Sequence, residues 1–170
     1  MLRVVGDRLS EWAQQETKLA DFFARSAFNR YYYDSFLQVR ELLRTLNIGG
    51  RKPSHSQAPR FLADHVLKEV RKSLKKARKS NLIDDAHKEE LERNASAALV
   101  ALSQVLTQAR NLRVVADYEP EVSVKRSEDI FTLNETTLQS AGNWPRTTNK
   151  LVEVVWNCLL YTSDAADEED

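Results

Sequence analysis

The sequence predicts an all-α protein, an up-and-down bundle of four to five main helices followed by a short C-terminal helix. Only four glycines and four prolines occur in 170 residues, so few positions interrupt a helix. Leucine, alanine, arginine, lysine and glutamate are abundant, and all five favour helices. Apolar residues also recur at spacings of three and four through several segments, as they do along one face of an amphipathic helix.

The segment 26–46 is predicted to be the helix on which the others pack. Its apolar side chains share one helical face: Phe28, Tyr32, Phe36, Val39, Leu43 and Leu46, with Tyr31 and Leu42 widening it. Three consecutive tyrosines cannot all point inward on a helix. Tyr33 lies off the apolar face, so we expect its ring to contact a partner or solvent.

A first helix is predicted over 2–23 and a third over 59–79. The apolar stripe of the first helix consists of Val5, Leu9, Trp12, Leu19 and Phe23. The seam of the third helix consists of Leu62, Val66, Val70 and Leu74. Between them, two glycines within 47–50 are expected to end the second helix, because glycine readily adopts the left-handed cap conformation.

The fourth predicted helix, 86–114, pairs with the second at the centre of the bundle. Asp84 or Asp85 is expected to cap its first amides. Its seam has heptad-like spacing: Leu91, Ala95, Ala98, Leu102, Val105, Ala109 and Leu112. After Pro120, which cannot continue a helix, a polar link leads to two shorter predicted helices, 128–141 and 145–157.

The predicted domain organisation is one helical domain, 1–157, and an acidic tail, 158–170. The tail contains five acids and no base, and its string CLLYTSDAADE resembles the translation of a sequencing-library adaptor. We therefore expect the tail to be non-native. With those five acids set aside, 25 basic and 20 acidic residues remain, a net charge of +5 that favours polyanionic partners.

Several classes of protein are disfavoured by the sequence. No apolar run approaches the roughly 18 residues of a membrane-spanning helix, and the N-terminus does not resemble a signal peptide. One cysteine cannot form an internal disulfide and provides no zinc ligand set. We expect a cytoplasmic protein without a metal or cofactor.

The third helix carries seven basic residues within twelve positions: Lys68, Arg71, Lys72, Lys75, Lys76, Arg78 and Lys79. Such a face is commonly a solvated surface. It also has the charge to follow a nucleic-acid backbone without distinguishing its sequence.

The candidate functional site lies at the end of the fourth helix. Arg110 and Arg113 are about one turn apart, and Asp117 and Tyr118 follow within the next turns. Arginines in a last turn also suit the helix dipole without any other role. The functional hypothesis is that two guanidinium groups, a carboxylate and a phenol converge at the end of a rigid helix.

Three short motifs, in order along 19–120, resemble those of small bacterial and archaeal HEPN-domain proteins. Arg25–Ser26, Asn29–Arg30 and the tyrosines with Phe36 resemble the pattern S-x-x-R-x-Y-Y-x-x-F. His55–Ser56 follows at the start of the third helix, and Arg113 with Ala116, Asp117 and Tyr118 resembles an R-x-x-A-D-Y ending. The resemblance implies a helical bundle that forms a homodimer.

Ribonucleases of that family carry R-x4–6-H near the end of the long helix, where histidine moves a proton and arginine stabilises the phosphate. Here Arg110 fits the arginine position, Asn111 the polar residue after it and Tyr118 the tyrosine. Ala116 occupies the position expected for histidine, and losing a general acid–base typically costs about 10²- to 10⁴-fold in rate. The resemblance therefore argues against standard HEPN ribonuclease activity.

The favoured hypothesis is a HEPN-like module that binds RNA or a nucleotide at a dimer cleft. Its expected context is a toxin–antitoxin or phage-defence system with a nucleotidyltransferase partner, and Tyr118 is a candidate acceptor of AMP. The predicted binding residues are Arg110, Asn111, Arg113, Asp117, Tyr118, Arg30 and Tyr33. One alternative is a metal-independent ribonuclease in which His55 is a displaced base acting with Arg110. The other is a structural or adaptor bundle whose basic face binds an acidic partner.

Overall fold

The computed structural model describes residues 2–46 and 53–163, and this part of the chain is predominantly helical, as predicted. The helices are α1 (Leu2–Gln15), α2 (Ala20–Thr45), α3 (Ala58–Phe61), α4 (Leu67–Lys79), α5 (Asp85–Tyr118), α6 (Leu138–Gly142) and α7 (Trp144–Ser163). A 3₁₀ turn, Thr17–Leu19, precedes α2, and a π-helical turn, Leu62–Val66, separates α3 from α4. The strands are β1 (Lys125–Ser127), β2 (Ile130–Leu133) and β3 (Thr136–Thr137).

The chain divides into two compact units. The first comprises Met1–Gln38 and Val105–Asn149, and the second comprises Val39–Gln104 and Lys150–Asp170. Neither unit contains, within the described ranges, a helix long and apolar enough to cross a membrane.

The core of the first unit confirms the predicted apolar face of α2. Phe28 and Tyr32 are almost completely buried, and Tyr31 and Phe36 are buried beside them. Tyr33 is half-buried, as expected for a ring off that face. The helix begins at Ala20 rather than near residue 26, so its first turns also contribute buried alanines.

The first helix differs from the prediction in both length and orientation. α1 ends at Gln15 because Glu16 adopts a non-helical backbone, with φ −107° and ψ 88°. Its buried residues are Gly6 and Ala13, whereas Val5, Trp12 and Leu19 of the predicted stripe are exposed. Small residues face the core because a large side chain at residue 6 would overlap the ring of Tyr31.

Tyr31 lies between two glycines of the first unit. A Cβ atom at Gly6 would lie 2.6 Å from Tyr31 Cε1, and one at Gly142 would lie 3.4 Å from Tyr31 Cζ. The Tyr31 hydroxyl donates a hydrogen bond to Asp7 Oδ1 at 3.0 Å. Burial is the main cause that raises the pKa of this phenol, and Asp7 raises it further.

The predicted helix over 128–141 is wrong, because most of this segment forms a three-stranded antiparallel sheet in the order β1-β2-β3. Two-residue turns connect the strands, and Glu128, Asn134 and Glu135 in those turns have positive φ angles. Phe131 and Leu133 are buried on one face of β2 while Ile130 is exposed. This alternation with period two is the pattern of a strand rather than of a helix.

The second unit contains the seam predicted for the third helix and the first part of the seam predicted for the fourth. Leu62, Val66, Val70 and Leu74 are fully buried, and the predicted α5 residues from Leu91 to Leu102 are buried as well. The Asp84 carboxylate accepts a hydrogen bond from the amide of His87, which confirms the predicted cap. The predicted glycine cap at 47–50 lies outside the described residues.

The last helix is longer than predicted, because α7 continues through Ser163 rather than ending at residue 157. Cys158, the first residue of the predicted tail, is buried within this helix, and its Sγ donates to the Leu91 carbonyl at 3.5 Å. The adaptor origin of residues 158–170 stays a prediction.

Candidate functional site

The end of α5 is fixed by an arginine from α2. α5 continues to Tyr118, beyond the predicted end at residue 114, and stops two residues before Pro120. Arg25 donates hydrogen bonds to four backbone carbonyls, those of Val115, Ala116, Glu119 and Val122. These include acceptors that lack partners within a helix at its C-terminus. Arg25 Nε also lies 2.7 Å from Asp21 Oδ2, so the guanidinium is anchored at both sides.

Arg113 lies between two tyrosine rings at this helix end. Its guanidinium carbon is 5.7 Å from the centroid of Tyr33 and 5.1 Å from the centroid of Tyr118, both within cation–π range. Nη2 of Arg113 donates to the hydroxyls of Tyr33 at 3.3 Å and Tyr118 at 3.4 Å. Tyr118 is 65% exposed, so one face of this aromatic and cationic cluster is open to solvent.

The Asp117 carboxylate holds Arg113 in this position. Arg113 Nε lies 2.7 Å from Asp117 Oδ2, although this buried nitrogen has no hydrogen-bond acceptor of suitable geometry. The other carboxylate oxygen accepts from Asn29 Nδ2 at 2.6 Å. Burial by itself would lower the pKa of Arg113. The Asp117 carboxylate and the two tyrosine hydroxyls have the larger combined effect, so the pKa of Arg113 is raised.

Asn29 belongs to the cluster, although it is not among the predicted site residues. Its side-chain oxygen is buried and accepts no hydrogen bond in the described structure. Residues 29 and 33 are four apart on α2, so both side chains face the same part of α5. The sequence shows this spacing, but it does not show that Asn29 contacts Asp117, because that contact depends on how α2 packs against α5.

The predicted residues are only partly brought together. Tyr33, Arg113, Asp117 and Tyr118 form one connected cluster. Arg110 is half-buried close enough to Tyr32 for its charge to act on that phenol. Within the described ranges, no hydrogen bond or ion pair connects the side chain of Arg30 or Asn111 to this cluster.

The position resembling the catalytic histidine of HEPN ribonucleases does not face the open side of the cluster. Ala116 is 8% exposed, and its carbonyl accepts from Arg25. His55, the predicted displaced base, is exposed in the second unit, in the turn that precedes α3. Of the residues predicted for ribonuclease chemistry, only Arg110 lies in the first unit.

No protein-family model, curated protein or solved structure matches this chain. The HEPN resemblance therefore rests on the quoted motifs, and the function is argued below from the cluster itself.

Proposed function

We propose that the cluster around Arg113 binds single-stranded RNA, with Tyr118 as the stacking surface for a base. The observation that carries this proposal is an exposed tyrosine ring, 65% accessible, held against a guanidinium group. Aromatic rings stack on any base, and each stacked base contributes about 1–3 kcal/mol. Arg113 and Arg110 supply positive charge for the phosphates.

Asp117 holds Arg113 in place and also limits how strongly Arg113 can bind a phosphate. Its carboxylate lies against the only arginine that contacts both Tyr33 and Tyr118 in the described residues. A phosphate that approaches Arg113 competes with that carboxylate. We therefore expect Asp117→Asn to bind RNA a few-fold more tightly. The asparagine side chain has nearly the same size and shape as the aspartate, but it lacks the negative charge that competes with the phosphate.

The test is fluorescence anisotropy with a labelled single-stranded RNA at 50 mM and 200 mM salt. Affinity is expected to fall steeply over this range, because phosphate contacts release counterions. Tyr118→Ala and Arg113→Gln should each weaken binding by at least tenfold, whereas Tyr118→Phe should retain most of it. Arg8→Gln is the matched control, since Arg8 is an exposed arginine paired with Glu11. Equal affinity of wild type and Tyr118→Ala would contradict the proposal.

The proposal includes a homodimer and a nucleotidyltransferase partner in a toxin–antitoxin or phage-defence system. The exposure of Tyr118 supports its role as an acceptor of AMP, because a transferase must reach the hydroxyl. Coexpression with a nucleotidyltransferase from the same operon should increase the mass of the protein by one AMP, and Tyr118→Phe should abolish this increase. An unmodified Tyr118 after coexpression with an active transferase would contradict the modification.

A second candidate function, an adaptor that binds an acidic partner, is favoured by α4. Four of its lysines are exposed and have no acidic partner among the described residues: Lys68, Lys75, Lys76 and Lys79. If this face is the main anionic site, Lys75→Gln combined with Lys79→Gln should weaken binding of RNA or of a polyglutamate peptide more than Arg113→Gln does. The ribonuclease with His55 as its base stays a prediction, tested by cleavage assays of His55→Ala and Arg110→Ala.

A further inference from the structure

A cavity in the first unit lies outside the Arg113 cluster and has no role in the proposed RNA site. Its volume is about 570 Å³, within the range of roughly 300–1,000 Å³ that is common for small-molecule sites. It is bounded by α1, the β1-β2 turn, α6 and the start of α7. Tyr31, held between Gly6 and Gly142, is part of its wall.

Two arginines line this cavity without a counterion. Arg3 and Arg146 belong to α1 and α7, and neither guanidinium makes a hydrogen bond or an ion pair to the described residues. By contrast, several exposed arginines elsewhere are paired with carboxylates, as Arg8 is with Glu11 at 2.7 Å. Two unpaired guanidinium groups at one concave surface provide a binding site for an anion.

Two acids also line the cavity, although neither forms an ion pair with Arg3 or Arg146 in the described structure. Asp7 Oδ1 accepts the hydroxyl hydrogen of Tyr31, which holds this carboxylate beside the Tyr31 ring. Asp129 lies in the β1-β2 turn and is exposed, without a basic partner in the described structure. A carboxylate only accepts hydrogen bonds, so Asp129 suits a ligand that carries hydroxyl groups.

The remaining lining favours a polar ligand with more than one hydrogen-bonding group. Ser10 and Thr137 contribute hydroxyls, and Gln139 and Asn143 contribute amides that can both donate and accept. Two guanidinium groups can donate hydrogen bonds to several oxygens of one phosphate, whereas a carboxylate offers only two oxygens. Hydroxyls, amides and Asp129 then match the sugar that carries the phosphate.

We propose that this cavity binds a small phosphorylated sugar compound, with Arg3 and Arg146 on the phosphate and Asp129 and the amides on the sugar. The proposal does not depend on RNA binding by Arg113, because the two sites share no residue. It gives the protein a second ligand site, in the unit that also carries the Arg113 cluster.

The test is isothermal titration calorimetry of the full chain with adenosine 5′-monophosphate, ribose 5-phosphate and adenosine. At least one phosphorylated compound is expected to bind, and adenosine is expected to bind at least tenfold more weakly than its monophosphate. Arg146→Gln and Arg3→Gln should each weaken binding of the phosphorylated compound by tenfold or more. Arg8→Gln, on the same helix as Arg3 but outside the cavity, is the matched control.

Hydrogen exchange of the bound protein locates the site independently of these variants. Protection is expected at amides of residues 129–131 and 138–143, which border the cavity. The proposal is overturned if neither phosphorylated compound binds at millimolar concentration, or if adenosine binds as tightly as its monophosphate. Loss of binding in Arg113→Gln, with Arg3→Gln and Arg146→Gln unaffected, would assign the ligand to the other cluster and would also overturn it.

Discussion

Tyr32 couples the stability of the first unit to alkaline pH. Burial is the main cause that raises the pKa of this phenol from 10.0 to about 12; Tyr33 raises it further, while Arg113 and Arg110 lower it. The folded state therefore holds the phenol proton more tightly than the unfolded state does. Its stabilising contribution is complete below about pH 10 and is lost as the pH rises towards 12.

We expect the free energy of unfolding to fall across this window. Each phenol that ionises contributes a fall of up to about 1.4 kcal/mol per pH unit. Urea denaturation between pH 9 and 12 measures the fall. Tyr32→Phe should reduce the slope, although Tyr31, whose pKa is also raised by burial, retains part of it. Phe28→Leu is a control that lowers stability at every pH without changing the slope. An unchanged slope in Tyr32→Phe would contradict the prediction.

Gly6 is required because the ring of Tyr31 occupies the space of a side chain. A Cβ atom there would lie 2.6 Å from the ring of Tyr31, a residue that is 3% exposed, so the ring or α1 must shift to accommodate it. We expect Gly6→Ala to lower the free energy of unfolding by about 1–3 kcal/mol, the usual cost of overpacking. Thermal denaturation measures the effect.

The matched control for that prediction is Gly142→Ala. The added Cβ atom would lie 3.4 Å from Tyr31 Cζ, a distance close to ordinary van der Waals contact. Its effect should be much smaller than that of Gly6→Ala. Equal losses for both variants would mean that helix propensity or backbone conformation, rather than the ring, decides the residue at position 6.

At the scale of elements, the end of α5 depends on Arg25. Its side chain is 14% exposed and donates to four carbonyls in and beyond the last turn of α5. We expect Arg25→Ala to destabilise the protein by about 1–3 kcal/mol, because carbonyls beside the core lose a charged donor. Amide hydrogen exchange at residues 115–122 should accelerate, and RNA affinity should fall because Tyr118 loses its fixed position.

Asp21→Asn serves as the control for Arg25→Ala. It weakens the ion pair to Arg25 Nε but leaves the guanidinium able to bind the carbonyls. If Asp21→Asn accelerates exchange as much as Arg25→Ala does, the ion pair rather than the carbonyl contacts holds the helix end.

At the scale of the whole molecule, the expected homodimer can be tested through exposed apolar side chains. The first unit exposes Trp12 by 48% and Phe22 by 63%, and Val4 and Val5 of α1 are exposed as well. We expect sedimentation equilibrium to give twice the chain mass of 19.5 kDa, and Phe22→Ser combined with Trp12→Ser to give the monomer. The physical reason for this expectation is that exposed aromatic rings are stabilised when a second copy covers them.

The control variant for the dimer is Val100→Ser, which replaces an apolar residue of the second unit that is 45% exposed. It should leave the mass unchanged. A monomeric wild-type protein at micromolar concentration would show that the homodimer part of the proposal is wrong.

The helical class and most of the buried seams follow from sequence periodicity, because apolar residues at helical spacing must share a face. The seams of α2, α4 and α5 are buried where that periodicity places them, except for Leu46 and Val105, which are half-buried. The orientation of α1 does not follow, because two small residues decided its packing and small residues give a weak hydrophobic pattern. The sheet does not follow from periodicity either, because its strands are only two to four residues long and give a short alternating pattern.

The candidate site was predictable only within a single helix. The spacing of Arg113, Asp117 and Tyr118 places them near one another on α5, and sequence alone identifies them. The contacts of Asn29 and Tyr33 with this group depend on the packing of α2 against α5 in the first unit. The cavity combines Arg3 and Arg146, more than 140 positions apart, and no local pattern connects such residues.

The turn between β2 and β3 leaves room for an engineered gain in thermal tolerance. Asn134 and Glu135 hold φ angles of 44° and 66°, and a glutamate in the left-handed region costs on the order of 1 kcal/mol. Glu135→Gly would create the Asn-Gly pair that such two-residue turns favour. Calorimetry should show a higher melting temperature for this variant, and Glu121→Gly, outside the turn, should give no such gain. The hairpin is thus a point at which a single substitution is expected to make the protein more resistant to heat.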